Sequence, residues 1–523
     1  MRGPFMTRDR ILPAASLSRR AFLALAAAAG AAAASGGASA SAGAPKRGGV
    51  LRLAASANPS SLDPATGGSG YDHSFLWTIY DTLTEWDYDT LQPKPGLAKW
   101  SYPDRLTMVL DLQPGVTFHD GTPLDAEAVK FNIDRSRLDQ RSNVKADLTS
   151  IAETVVTGPL QVTLKLKNPD AALPAIFSDR CGMMISPAAV QKHGQASDRN
   201  PVGAGPWKFV SWADNQKVVV ARNENYWRDD RGFLDSIEFS IIPEYATALR
   251  SVTAGQNDMA FALPARLKPV IERAKNLQVV TAPTLYCVQF YLNTKRKPLD
   301  DVRVRRALNH AVDRDAFVRA TMGGLGEPAT MTLPKSHWAW SETASKLYPH
   351  DVEKARALLA EAGYPDGIEL TVGAYTDQDN VRRAEVLQEQ LGKAGVRLKF
   401  TRGTVAEISA NFFNQGYDML LSAWTGRPDP SMTYALGFDK GAYYNASREA
   451  SDELSDLIRK SRESEDTRER AAVFDRIQQI TMGEALSVPL AFQYELDALS
   501  PKVRGYRPDL LGKPKFEFVW LGE

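Results

Sequence analysis

The sequence predicts a mixed α/β protein of more than one lobe. Three observations carry that expectation. The chain is 523 residues long, too long for a single hydrophobic core, so two or three packed lobes are expected. Its first half carries several short runs of strand period bounded by turn residues. From about residue 300 the pattern changes to helix followed by strand, the order of an α/β lobe.

The N-terminal segment is separate from the fold. Residues 18–23 read Ser-Arg-Arg-Ala-Phe-Leu, and a small apolar run continues from Ala24 to Ala34. A paired arginine before an apolar stretch, with Ala38-Ser39-Ala40 or Ala40-Ser41-Ala42 as the cleavage site, is a secretory signal of the twin-arginine kind. Residues 1–42 are assigned to it. The run is too short and too alanine-rich for a membrane span, which needs about 20 strongly apolar residues. No cysteine follows at the cleavage region, so no lipid anchor is expected. The mature chain is expected in the periplasm, where nucleotides and reduced nicotinamide cofactors are scarce. Residues 41–47 read as a disordered leader.

The elements follow in order. Residues 50–53 form a strand. Thr107–Leu112 alternates and is closed by Pro114-Gly115, and Gln161–Leu166 alternates again. A helix starts near Asp125 with Ala128, Val129 and Ile133 on one face. Residues 218–220 and 237–242 are further strands. Asp351 caps a helix whose Val352, Ala355, Leu358, Leu359 and Ala362 keep the 3.6 period. Gly363 supplies its left-handed stop, with Pro365 beyond, and residues 368–372 are a strand. The unit repeats: Val381, Ala384, Leu387 and Leu391 line a helix, Gly395 ends it, and Val396, Leu398 and Phe400 alternate. A long helical stretch over about 449–482 carries Leu454, Leu457, Ile458, Val473, Phe474, Ile477 and Ile480. Short strands at 488–492 and 516–520 close the chain.

Composition excludes several functions. With 63 basic and 62 acidic residues, a formal charge of +1 provides no basic footprint for nucleic acid. Hydrophobic content of 43% and charge of 24% are ordinary for a globular protein. Cys181 and Cys287, the two cysteines, cannot make a disulfide scaffold or a cysteine-rich metal site. The compartment permits a bridge between them, and spacing does not decide whether they meet. His73, His119, His193, His310, His337 and His350 do not pair at ligand spacing, so no dedicated metal site and no cofactor are expected. Gly203-Ala204-Gly205 opens like a dinucleotide fingerprint, but Pro206 follows and no third glycine arrives; a tight strand-to-strand turn is the better reading. Gly67-Gly68-Ser69-Gly70 lacks the last glycine of a nucleophile elbow, and Ser142-Asn143-Val144-Lys145 has no partner motifs. A secreted chain without an enzyme motif reads as a binding protein rather than an enzyme.

Several blocks resemble one family. They are residues 49–64, Gly-Val-Leu-Arg-Leu through Ser-Ser-Leu-Asp-Pro; Tyr80-Asp81-Thr82-Leu83; Gly96-Leu97-Ala98-Lys99-Trp100; and the run from Gly115 to Leu124. Pro201 to Trp207, Asn223-Glu224-Asn225-Tyr226-Trp227 and the stretch from Asp301 to Arg314 continue the series. Together they resemble the family 5 extracellular solute-binding proteins, the peptide/nickel-type receptors of ATP-binding-cassette importers. The resemblance covers essentially the whole mature chain. It implies a two-lobed periplasmic binding protein-like fold of the Venus-flytrap kind, with an extra subdomain in lobe I. Lobe I would take residues 46–282, lobe II 283–488, and 489–523 would return to lobe I. It implies a monomeric receptor that closes on a peptide-like or other small organic solute and presents it to a membrane permease. A metal-chelate receptor of the same fold and a secreted hydrolase are the rival readings. Within these blocks His119 reads as a turn-bridging histidine, and Arg303, Arg305 and Arg306 as a solvated or interlobe face.

Solute choice is expected around Trp424. In peptide-binding relatives the segment after this tryptophan resembles Trp-x-x-Asp, whose aspartate holds the ligand's α-ammonium. Here that position is Arg427, which would repel an ammonium and suits a carboxylate or phosphate. Asp429 is available to replace the lost charge. Alternatively Arg427 points away and pairs with a neighbouring acid. Tyr71, Trp338, Trp340, Tyr375, Trp424, Tyr443 and Tyr444 cluster where cleft loops are expected; Trp424 is read as cleft-lining, and for the others cleft lining and packing between lobes are both open.

Overall fold

Val50–Ala55 is the organising strand of the first sheet. It pairs in parallel with Ser236–Ile241 on one side and Met259–Ala260 on the other. The computed structural model describes residues 44–523, so the arginine pair and both cleavage motifs lie outside the described residues. The seven strands run, edge to edge, Gln278–Ala282, Glu495–Leu499, Met259–Ala260, Val50–Ala55, Ser236–Ile241, Lys217–Arg222 and Trp207–Ala213. Leu51, Leu53, Phe75, Trp207, Ile237 and Phe239 share its core.

A four-stranded antiparallel sheet, Ala98–Asp104, Thr107–Leu112, Gln161–Leu166 and Ile151–Gly158, forms the additional subdomain. The helix Ala126–Leu138 covers it and starts where Asp125 accepts the Ala128 N–H at 3.0 Å. Val129 and Ile133 join Met108, Leu110, Val162 and Leu164 in one core. Behind it Asp63, of the Ser-Ser-Leu-Asp-Pro block, forms a buried pair with Arg135.

The six-stranded sheet has the order Gly326–Pro328, Ser487–Gln493, Cys287–Leu292, Met419–Trp424, Ile368–Tyr375 and Val396–Gly403. All six residues of Cys287–Leu292 are buried, as expected for a strand covered on both faces. The two helix–strand units are present: Val352–Glu361 leads to Ile368–Tyr375, and Gln378–Lys393 to Val396–Gly403. Their strands pair in parallel.

The chain passes between the two large sheets twice, at residues 283–286 and at Tyr494. The passages are bonded to each other. The Gln493 N–H donates to the Tyr286 carbonyl at 2.9 Å, and the Thr284 hydroxyl to the Gln493 carbonyl at 2.6 Å.

Three sequence expectations are corrected, and one question left open is decided. The stretch 449–482 is two helices, Asp452–Lys460 and Thr467–Gly483, because Ser451 and Asp466 each cap a new start. Residues 516–520 form only the short Trp520–Leu521 pairing, while Glu495–Leu499 is a further strand. Arg305 and Arg306 are not a solvated face: their guanidiniums donate to the carbonyls of Glu484 and Gly483 at the C-terminal end of Thr467–Gly483, where a cation complements the helix dipole. Cys181 lies in the four-stranded core and Cys287 in the six-stranded sheet; both are buried free thiols, so the bridge the compartment permits does not form.

The Gly203-Ala204-Gly205 turn is as tight as expected. A Cβ on Gly203 would stand 2.0 Å from the Ile79 carbonyl oxygen, a contact only glycine avoids. His119 closes the same turn: Nε2 lies 3.0 Å from the Gly205 carbonyl, and Nδ1 accepts the Gly203 N–H at 3.3 Å. Burial holds its pKa down at about 4, against about 6.5 unfolded. Below pH 6.5 the unfolded chain therefore takes up a proton that the folded turn resists. Stability from His119 is complete above that pH and is lost as pH falls towards 4. The stability advantage of wild type over His119→Gln, read from urea midpoints, is expected to shrink by up to about 3 kcal/mol across this window. An advantage constant from pH 7 to 4 would contradict the neutral bridging role.

Candidate functional site

Met419–Trp424 is an inner strand of the six-stranded sheet and delivers Trp424 at its end. The Trp424 side chain is buried, with its Nε1–H donating to the Thr433 hydroxyl at 3.1 Å. Tyr444 meets its ring edge-on at 5.2 Å. Gly426 follows in a left-handed conformation (φ 75°), packed on Leu285 of the first passage. The Arg427 guanidinium then folds back over the Trp424 ring at 4.8 Å and donates to the Gly426 carbonyl at 2.9 Å. No carboxylate among the described residues lies within ion-pair distance of it, so Arg427 does not pair with a neighbouring acid.

The facing wall comes from the seven- and four-stranded side. The Lys513 ammonium sits 3.2 Å from His73 Nε2 and 3.4 Å from an Asp179 oxygen, and His73 Nε2 lies 2.8 Å from the other Asp179 oxygen. Gly512, before Lys513, packs on Thr284 as Gly426 packs on Leu285. The two charged loops are therefore seated on adjacent residues of the first passage. Burial lowers the Lys513 ammonium, Asp179 opposes this, and Arg427 adds to the lowering. Asp147 completes this wall from the one-turn helix Lys145–Leu148.

Contacts away from the passages close the cleft. Arg462, between Asp452–Lys460 and Thr467–Gly483, forms a two-pronged bridge to Asp170 at 2.7 and 2.6 Å. Arg105 meets Glu463 at 3.0 Å, and Met432 inserts into the core that holds Val144, Leu148 and Leu173. Behind Trp424 and Tyr444 lies a cavity of about 30 Å³ bounded in part by Gln289, Thr332 and Ser487. Gln289 Oε1 and Ser487 Oγ have no protein partner there, and the volume suits a water or two.

Residues 92–445 match the family model of bacterial extracellular solute-binding proteins, family 5 middle. The chain belongs to that family. The glutathione-binding protein GsiB of Salmonella paratyphi A is 28% identical over 469 residues, covering 87% of this chain and 91% of GsiB. The Helicobacter pylori periplasmic binding protein DppA, solved with the peptide STSA, superposes with a TM-score of 0.81 at 26% identity, covering 91% of this chain and 99% of DppA. The ABC transporter substrate binding protein CtaP of Listeria monocytogenes shares the fold at a TM-score of 0.82 and 22% identity, covering 91% of this chain and 100% of CtaP.

The expected site residues of this family 5 protein fall into three groups. Trp424, Arg427, Tyr375 and Tyr443 form one wall together with Tyr444. The Tyr375 hydroxyl lies 3.0 Å from both Ser409 Oγ and Ser422 Oγ, and exposed Tyr443 meets Phe413 in a tilted arrangement at 4.7 Å. Tyr71, 49% exposed at the start of the Asp72–Ile79 helix, lies beside Tyr245 and within electrostatic reach of Asp377 and Glu495. Trp338, Trp340 and Asp429 are packed elsewhere. Trp338 meets His337 and Phe474, each at 5.5 Å, in the helical core with Tyr434. Trp340 packs with Met331, Tyr348 and Met482. Asp429 cannot replace the charge missing at 427. It is buried, caps Pro430–Phe438 through the Ser431 N–H, and receives Arg470 on both oxygens at 2.8 Å. Burial works to raise its pKa, and Arg470 overrides this and holds the carboxyl below the usual range. Asp147, Asp179 and Lys513 were missed, since each is a single charge outside any regular helix or strand pattern, and His73 because nothing in its helix marks it as a partner for them.

The Arg462–Asp170 bridge lies far in sequence from both passages, so its loss is expected to release the lobes without unfolding either. Arg462→Ala should enlarge the radius of gyration of the unliganded protein in small-angle scattering, with unchanged far-UV circular dichroism. An unchanged scattering profile would remove the bridge from the closing contacts.

Proposed function

We propose that this protein is a periplasmic receptor that captures a peptide-like solute between its lobes and delivers it to the permease of an ABC importer. Family membership supports the class. The glutathione and peptide named for GsiB and DppA support the solute class. The observation that carries the reading is the Arg427 guanidinium, stacked on buried Trp424, without an acid partner, beside the junction of the two sheets. A cation so held is prepared for an anionic group on a solute. The seven- and four-stranded sheets with the C-terminal tail form lobe I, and the six-stranded sheet with its helices forms lobe II. Solute touching both walls favours the closed arrangement over the open one. The role is recognition without turnover, by a monomer.

Export precedes this role, and the twin-arginine segment is its address. No helix among the described residues is long and apolar enough to cross a membrane.

Two experiments test the reading. A thermal-shift screen of glutathione, dipeptides and tripeptides is expected to yield at least one binder. A binder at 100 times its dissociation constant should stabilise the fold by about 2.7 kcal/mol. A screen in which no peptide shifts the melting temperature, while sugars or metal chelates do, would move the solute class. Separately, lysine at both Arg19 and Arg20 should leave unprocessed precursor inside the cell, visible by immunoblot of fractions. Processed protein in the periplasm would point to the general secretory route instead.

A further inference from the structure

The cleft contains two opposite charges that the protein does not match to each other. Asp147 sits in Lys145–Leu148, whose flanking Val144 and Leu148 are buried in the core that receives Met432. Met432 belongs to Pro430–Phe438, the helix that begins just after Arg427. One apolar contact across the cleft thus brings both segments together from opposite lobes.

Asp147 is half-buried, and its carboxylate has no hydrogen bond or ion pair among the described residues. Burial raises its pKa and Asp179 adds to the rise, while Arg427 is the strongest charge opposing it, ahead of Arg462 and Arg180. The three besides Arg427 are committed elsewhere. Arg462 is bound to Asp170, Asp179 to His73 and Lys513, and Arg180 to the carbonyls of Pro64 and Gly67. Asp147 and Arg427 remain, unbonded to each other, on the two segments that the Met432 contact joins. Partly desolvated charges without partners are costly, and a ligand carrying the complementary pair would relieve both.

We propose that Asp147 and Arg427 hold the two charged ends of a short zwitterionic solute, its ammonium on Asp147 and its carboxylate on Arg427. The inference rests on the reading of this cleft as the solute site, and it narrows the solute class. Lys513 stands on the wall that carries Asp147 and is already matched there by Asp179. The acid absent from the position after Trp424 is then supplied by the other lobe. Each end of the solute is held by a different lobe, so the solute itself ties the lobes shut.

The test uses glutathione and trialanine, each in four forms: free, N-acetylated, esterified at the carboxylates, and blocked at both ends. Affinities are measured by calorimetry on the full mature protein and on Asp147→Asn and Arg427→Ala. Wild type is expected to lose about ten- to a hundredfold when either end of its preferred scaffold is blocked. Asp147→Asn should bind free and N-acetylated forms equally while keeping its sensitivity to esterification. Arg427→Ala should show the reverse, and Arg427→Lys should keep part of the carboxylate preference. Melting temperatures without probe should match wild type for at least one variant at each position. Variants that discriminate between the four forms as wild type does would overturn the proposal. Wild type binding all four forms alike would overturn it too, leaving the peptide-receptor reading intact. No binding of any form by wild type would remove both.

Discussion

Everything in this molecule is hung on the pair of passages between its sheets. Residues 283–286 and Tyr494 are short, and they are joined by the Gln493–Tyr286 backbone bond and the Thr284 hydroxyl bond to the Gln493 carbonyl. Two short segments bonded side by side bend together more readily than they shear, the behaviour a hinge needs. The same passages position the chemistry. Gly426 rests on Leu285 and Gly512 on Thr284, which places Arg427 and Lys513 beside the first passage.

The charges of the cleft divide into those the protein satisfies and those it leaves open. Asp429–Arg470 and Asp63–Arg135 are buried pairs with hydrogen bonds to spare, and such pairs fix local geometry more than they add stability. Arg427 has only backbone and hydroxyl acceptors. Desolvation of an unmatched guanidinium is tolerable beside an indole face, where the ring quadrupole recovers part of the lost solvation. A binding site of this kind stores affinity as unmet electrostatic demand rather than as an open apolar pocket.

The fold was legible where its signals are local. Asp351, Gly363, Asp125 and the alternation in Thr107–Leu112 act within a few residues, and each element stands where its pattern placed it. The merging of two helices over 449–482 failed for a related reason: the apolar period continues across the break, and the caps Ser451 and Asp466 are common residues that signal weakly on their own. Arg305 and Arg306 were misread because their acceptors, the carbonyls at Gly483 and Glu484, lie far along the chain. The site was legible only in part. Trp424 and Arg427 stand in a motif whose spacing can be read; Asp147, Asp179 and Lys513 meet through tertiary contacts that no periodicity records. Asp429 illustrates the converse, a residue of the right chemistry in the right segment whose oxygens are taken by a partner on another helix.

The two thiols bear on where folding can happen. Cys181 and Cys287 are buried in separate cores and unpaired, and burial drives both thiols away from ionisation, so neither presents a thiolate to an oxidant. The native state therefore owes nothing to an oxidising compartment. The chain can complete its packing in a reducing or an oxidising medium alike, without forming, breaking or shuffling a covalent bond between side chains.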